Sequence, residues 1–264
     1  MYLKLAELNN MKYILSFLFL IAFGYSNAQT ILDKEKELMS DFKKVKYWNE
    51  KLIKDYQQIT EDSLDDIATI FKNKLLSITS TMPQTMSYNF QGLKNLGVQI
   101  IKASDGNFKI YSWEAKTKNG ARYIETLYQY KLNRKVFSDL RIKEKETDPG
   151  YFCREIFTIR LNMLNTYIAL YNGYPGDKNK TLQLKAYELH DTGFKDEIPF
   201  FKTATAFENE INIIFNDPII KSSEDDLILY DETKKTITIP VINEEKLLTK
   251  RKIVYKFNGR CFEK

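Results

Sequence analysis

Histidine occurs once in the 264 residues, at position 190, and cysteine only twice, at 153 and 261. A zinc site built on imidazoles would therefore need carboxylates or cysteines to complete it, and no spacing in the chain supplies such a set. There is no G-x-S-x-G elbow, no phosphate-cradling loop and no dinucleotide fingerprint, so Ser-His nucleophilic chemistry and nucleotide cofactors have no sequence support. No cofactor and no metal site is expected. His190 stands beside the turn Asp191-Thr192-Gly193 and reads as a strand-end residue rather than a general base. A strong charge of one sign is also missing. Lys and Arg number 40 against 35 Asp and Glu, a mild excess that argues against nucleic acid as a partner.

Only one apolar run is long, Ile14 to Phe23, and it falls short of the ~20 residues a membrane-spanning helix needs. It follows Met11-Lys12 and ends at Gly24 and the small polar stretch Ser26-Asn27-Ala28, the order of a secretory signal peptide. Residues 1–28 are read as that signal, with Met11 as an alternative start, and Gln29 as the first mature residue. No membrane span is then expected after cleavage, and the location is periplasmic or secreted. Export places Cys153 and Cys261 where a bridge would persist. The pair reads either as a disulfide or as two separate buried thiols.

Residues 29–82 read as a helical segment. Leu38, Phe42, Val45, Leu52 and Tyr56 recur at helical steps and predict a helix over 33–58. Ser63 before Leu64-Asp65-Asp66 suggests an N-cap, and Leu64, Ile67, Phe71, Leu75 and Ile78 carry a second helix over 64–79. Residues 80–97, with Pro83, Gly92 and Gly97, read as a crossing segment.

Residues 83–264 read as an antiparallel β domain. The clearest local signal is Val98 to Trp113, two β-branched and aromatic runs around Asp105-Gly106, the dipeptide of a tight hairpin turn. The favoured register sets Ile101 opposite Ile110, Ile100 opposite Tyr111 and, at some electrostatic cost, Lys102 opposite Lys109. Such a hairpin is apolar on both faces and should be covered on both. Further strands follow at short intervals, including Arg122–Lys131, Val136–Ile142, Phe152–Leu161, Leu182–Leu189, Glu210–Phe215, Thr236–Ile242 and Lys252–Phe257. Asn172–Lys180 reads as a long turn-rich loop, and Ile198–Phe201, interrupted by Pro199, as an edge strand at best. No internal repeat is visible. The fold class is α+β, mainly β: a helix pair packed on an antiparallel meander that forms a sandwich, an open barrel or a propeller-like array.

Candidates for chemistry are few. Glu224-Asp225-Asp226 and Asp65-Asp66 are the densest carboxylate clusters, and hydrolysis by paired carboxylates needs only two such groups in different environments. The former reads as a solvated loop and lacks the spacing of a calcium loop. Asp105 is explained by turn geometry. Aromatic recognition is the other route: Tyr111, Trp113, Tyr171 and Tyr174 are the candidate ligand-binding residues, in a region where Tyr123, Tyr128, Tyr130 and Tyr167 also gather.

The phrase Ala103-Ser-Asp-Gly-Asn-Phe-Lys-Ile-Tyr-Ser-Trp113 resembles a stretch of a group of uncharacterised secreted bacterial proteins, and Leu227 to Val241 is similar to a later hairpin of that group. The resemblance implies export, a helical N-terminal segment and an S-D-G β-hairpin domain, and it implies no activity or site residue. The S-D-G hairpin is also similar to a blade edge of periplasmic propellers, although the following Pro and the blade repeat of those proteins are missing here. These readings point to a non-catalytic ligand- or partner-binding protein of the cell envelope. The alternative is a carboxylate-dependent hydrolase acting on a glycan or similar polymer.

Overall fold

The computed structural model describes residues 31–143, 148–161, 164–176, 179–190, 193–216 and 227–264. The expected signal peptide and the Glu224-Asp225-Asp226 cluster lie outside these residues. Among the described residues no helix is long and apolar enough to cross a membrane.

The described residues open with helix α1, residues 31–54, followed by α2, Gln58–Thr81. The break falls at 55–57, so α1 ends earlier and α2 starts earlier than the apolar period alone suggested. Ser63 does not cap α2. It sits inside the first turns, where its hydroxyl donates back to the Ile59 carbonyl at 2.7 Å and so has no need to end the helix. The helical period still sets the packing: Leu38, Phe42, Val45 and Leu52 of α1 bury against Leu64, Phe71, Leu75 and Ile78 of α2. Helical structure continues past residue 82 through a short 3-10 helix, Pro83–Met86, and α3, Gln91–Asn95. Glu35 of α1 holds this crossing segment, accepting the backbone N–H of Gly92 at 2.7 Å and of Leu93 at 3.2 Å, and the Tyr88 hydroxyl at 2.5 Å.

Three sheets follow. Sheet A is a meander of β1 (Gln99–Lys102), β2 (Phe108–Lys118), β3 (Ala121–Leu132) and β4 (Lys135–Leu140). Its first hairpin has the predicted register: Ile100 faces Tyr111, Ile101 faces Ile110 and Lys102 faces Lys109. Sheet B contains β5 (Phe152–Leu161), β6 (Leu164–Gly176), β7 (Asn179–His190), β8 (Gly193–Lys195) and β11 (Glu210–Asn216), in the order β11-β7-β6-β5 with β8 on the end of β7. Sheet C runs β10 (Phe207–Glu208), β9 (Phe201–Lys202), β15 (Phe262–Glu263), β14 (Leu248–Phe257), β13 (Thr236–Ile242), β12 (Leu229–Asp231).

Period-two alternation stacks these layers. Tyr111, Trp113 and Leu127 of sheet A point into the helix pair, while Phe108, Ile110 and Tyr128 point into sheet B and meet Tyr167, Ala169, Tyr171 and Tyr187. The opposite face of sheet B, through Ile168, Leu170, Leu182 and Leu184, packs on Phe201, Ile237, Ile239 and Phe262 of sheet C. The first hairpin is therefore covered on both sides, as its two apolar faces require. The fold is α+β and mainly β, with helices on one outer face of a stack of sheets.

Two local expectations are corrected and one alternative is resolved. The supposed loop at Asn172–Lys180 is mostly ladder: Gly173 pairs Thr181 and Gly176 pairs Asn179, and an irregularity between Gly173 and Gly176 accommodates Pro175. Phe201 is not at a sheet edge, because β9 lies between β10 and β15. Pro199 precedes that strand and removes no ladder donor, and the β9–β15 pair is parallel, a departure from the otherwise antiparallel ladders. Cys153 and Cys261 are both free and buried, so the two-thiol alternative holds.

Candidate functional site

At one end of the stack a cleft of about 250 Å³ opens between sheets A and B. β3 contributes Thr126 and Tyr128, β6 contributes Tyr171, and β7 contributes Gln183, Lys185 and Tyr187. Alternation explains the last set. Leu182, Leu184 and Ala186 face sheet C, so the odd-numbered residues of β7 must all face sheet A. Arg141 and Asp148, from the connection between β4 and β5, form one wall. Arg141 is placed by its backbone, whose N–H donates to the Thr126 carbonyl at 2.9 Å and prolongs the sheet beyond β4.

The floor of the cleft carries a chain of phenols. The hydroxyls of Tyr171 and Tyr187 lie 2.6 Å apart, and those of Tyr187 and Tyr128 lie 3.3 Å apart. All three rings are buried. Burial pushes the Tyr128 hydroxyl up to about 12 and those of Tyr171 and Tyr187 well above the usual phenol range, although the Arg141 charge pulls Tyr128 and Tyr171 the other way. The three phenols are thus neutral hydrogen-bonding groups at neutral pH. Arg141 Nη2 donates to Asp148 at 2.6 Å, and the guanidinium lies 5.6 Å from the Tyr151 ring centre. Its Nη1 is buried and has no hydrogen-bond partner among the described residues. A buried donor without an acceptor is costly and marks a place where an oxygen would be welcome.

Among the described residues four carboxylates also line the cleft. Asp148 is engaged by Arg141 and by the Gly150 N–H at 2.9 Å, and Glu210 accepts from Gln183 at 3.2 Å and Asn212 at 2.6 Å. Asp196 stands 3.7 Å from the Lys185 ammonium, while Glu197 is exposed.

The four aromatic residues singled out in the sequence do not converge. Tyr111 and Trp113 are both 0% exposed beneath the helix pair, with the Trp113 ring edge-on to Phe71 at 5.4 Å, so they are packing residues and offer no stacking platform. Tyr174 is half-buried farther along β6, with the Arg122 guanidinium 4.7 Å over its ring. Tyr171 alone of the four lines the cleft. Asp65 pairs with Lys116 at 3.2 Å across a second, shallower groove between α2 and the β2–β3 hairpin. His190 ends β7, its Nε2 2.5 Å from a Glu188 carboxylate oxygen. No grouping of three His, Cys, Asp or Glu suited to a metal ion occurs among the described residues.

Arg141, Gln183, Lys185 and Tyr187 were missed by sequence reasoning. A signal existed in Gln183-x-Lys185-x-Tyr187, polar groups alternating with Leu182, Leu184 and Ala186 in a strand whose neighbours on both sides are paired. Polar residues on the inward face of a central strand ask for a purpose. Comparison with protein-family models, with curated proteins and with solved structures finds no match.

Proposed function

We propose that this is an exported, non-catalytic binding protein of the cell envelope and that the cleft between sheets A and B holds its ligand. The observation that carries this reading is the buried, unpartnered Nη1 of Arg141 beside a chain of three neutral phenols. A small number of fixed polar groups on a rigid scaffold is the usual make-up of a small-molecule site. Export rests on the Met11 to Ala28 signal pattern and on the resemblance of the S-D-G hairpin region to secreted bacterial proteins.

A carboxylate-dependent hydrolase is the weaker reading. Acid/base work needs two carboxyls kept in different environments, whereas Asp148 and Glu210 are both held by donors and Asp196 and Glu197 both lie toward solvent, so no pair is set apart by a buried and a free member. The test is calorimetric titration of the chain from Gln29 onward with cell-envelope glycan fragments and short peptides, repeated with Tyr171→Phe. Binding weakened by Tyr171→Phe supports the reading. Turnover of any of these compounds, or binding indifferent to changes throughout the cleft, overturns it. Fractionation of cells expressing the full chain tests export, which fails if the protein stays in the cytoplasm at full length.

A further inference from the structure

The polar groups of the cleft are not balanced, and the imbalance specifies a ligand chemistry. On the donor side, Arg141 Nη1 has no acceptor among the described residues, although the charge of the guanidinium is already met by Asp148 on Nη2. The phenol chain adds a second donor. Tyr128, Tyr187 and Tyr171 bring three hydroxyl protons to the two contacts that join them, so one of the three hydroxyls keeps an O–H to give. Both donors seek an oxygen.

That oxygen should be neutral. Among the described lining residues, the two cations Arg141 and Lys185 stand against the four carboxylates Asp148, Asp196, Glu197 and Glu210, an excess of two negative charges. An anion entering such a site is repelled. The same excess attracts a cation, and the carboxylates are unequally engaged. Asp148 is held by two donors, whereas Asp196 has Lys185 only at 3.7 Å and Glu197 lies exposed with no ion pair among the described residues. The volume, about 250 Å³, lies just below the usual range of small-molecule sites and admits only a compact molecule.

Resting on the reading of this cleft as the binding site, we propose that the ligand is a small primary amine bearing a carbonyl or hydroxyl oxygen. The oxygen meets Arg141 Nη1 and the free phenol proton, and the ammonium lies against Asp196 and Glu197. An amino sugar and the amino end of a short peptide share this chemistry.

The experiment titrates the protein with glucosamine and with alanyl-alanine amide, each beside its N-acetylated form, and with glucuronate as an anionic probe. At least one amine should bind, acetylation of its nitrogen should weaken binding about tenfold or more, and glucuronate should not bind. The exposed-carboxylate variant Glu197→Gln, alone and with Asp196→Asn, should lose a similar factor for the amine while its thermal unfolding is unchanged. Binding by glucosamine alone assigns the amino sugar, and binding by the amide alone assigns the peptide. Equal binding of acetylated forms or of glucuronate overturns the amine but leaves the cleft a binding site. Failure of both amines while another envelope compound binds in a Tyr171-dependent way does the same. Failure of every compound overturns both.

Discussion

The hydroxyl of Tyr167 donates to Asp105 at 2.7 Å, joining the turn of the first hairpin of sheet A to the middle of sheet B. Asp105 is therefore more than a turn residue. One carboxylate oxygen accepts the Asn107 N–H at 3.0 Å and shapes the turn, and the other takes Tyr167 together with Asn165 Nδ2 at 2.8 Å. Burial of the ring and the neighbouring carboxylate both hold the Tyr167 hydroxyl protonated far above the ordinary phenol range. Tyr167→Phe removes one charge-assisted bond and should cost about 1.5–3 kcal/mol. Asp105→Ala strips the partner from a buried hydroxyl and should cost more. Urea unfolding of the two variants, with the order reversed, would remove this bridge from the account of how the sheets are held.

Glu61 of α2 fastens the helix pair to the tip of the β2–β3 hairpin. It pairs with Lys116 and, at 2.9 Å, with Lys118, and it accepts the Tyr56 hydroxyl at 2.6 Å. The Lys116 hydrogen bond above all, then Tyr56 and Lys118, hold its carboxyl down from 4.5 to about 2. A carboxyl depressed in the folded state adds stability that is fully present above its unfolded value and disappears as pH falls through the folded one. The contribution should thus fade between about pH 4.5 and pH 2. Glu61→Gln should unfold more easily than the parent at pH 7 and no more easily at pH 2. Equal loss at both pH values would show that the ion pairs contribute nothing.

Much of this architecture was written in local pattern. The helical period of Leu38 to Ile78 and the two-faced apolar hairpin around Asp105-Gly106 fixed a helix pair, a register and a need for cover on both sides, because each depends on neighbours a few residues away. The parallel pairing of Phe262 with Phe201 was not legible, since nothing in either two-residue strand names its partner across some 60 positions of chain. The cleft was hidden for a related reason. Tyr128, Arg141, Tyr171 and Tyr187 come from three strands and a connection, and only the stacking of sheet A on sheet B brings them together. Exposed and buried aromatics read alike in sequence, which is why Trp113 looked like a ligand contact and lies in the core.

Gly150 and Gly106 have nearly the same left-handed backbone, φ +69° and +74°, in different surroundings. A Cβ on Gly106 meets nothing within 4 Å, whereas one on Gly150 would collide with the Ile124 carbonyl oxygen. Gly106→Ala should therefore cost only the backbone strain, about 1–2 kcal/mol. Gly150→Ala should cost clearly more and displace the neighbouring segment that carries Asp148 and faces Arg141. Differential scanning calorimetry separates the two, and similar melting temperatures would mean that the approach of residue 150 to β3 is looser than described.

Lys109 gives a stability trend of the opposite sense to Glu61. Its side chain is buried at the centre of sheet A, with Nζ donating to the carbonyls of Thr85 at 3.0 Å and Tyr88 at 2.7 Å and with no carboxylate in contact among the described residues. Desolvation first, then the positive charges of Lys102 and Lys94, bring the amine down from 10.5 to about 7. Because the unfolded chain keeps its proton up to about pH 10.4, it binds more protons than the folded one between pH 7 and that value. Stability should rise with pH across this window as the cost of a buried ammonium is lifted. Neutral Lys109 still bonds both carbonyls, so the crossing segment at 83–90 remains tied to the sheet. Lys109→Met should abolish the rise, lie below the parent in stability at pH 9.5, where the two carbonyls lose their donor, and approach or exceed it at pH 6, where the parent bears the unpaired charge. Lys102→Met, which removes the opposing charge from the same cross-strand pair, should stabilise the protein at pH 6 and have little effect at pH 9.5. Urea unfolding between pH 6 and pH 10 reads all three chains, and a Lys109→Met curve as steep as the parent's would place the titrating group elsewhere.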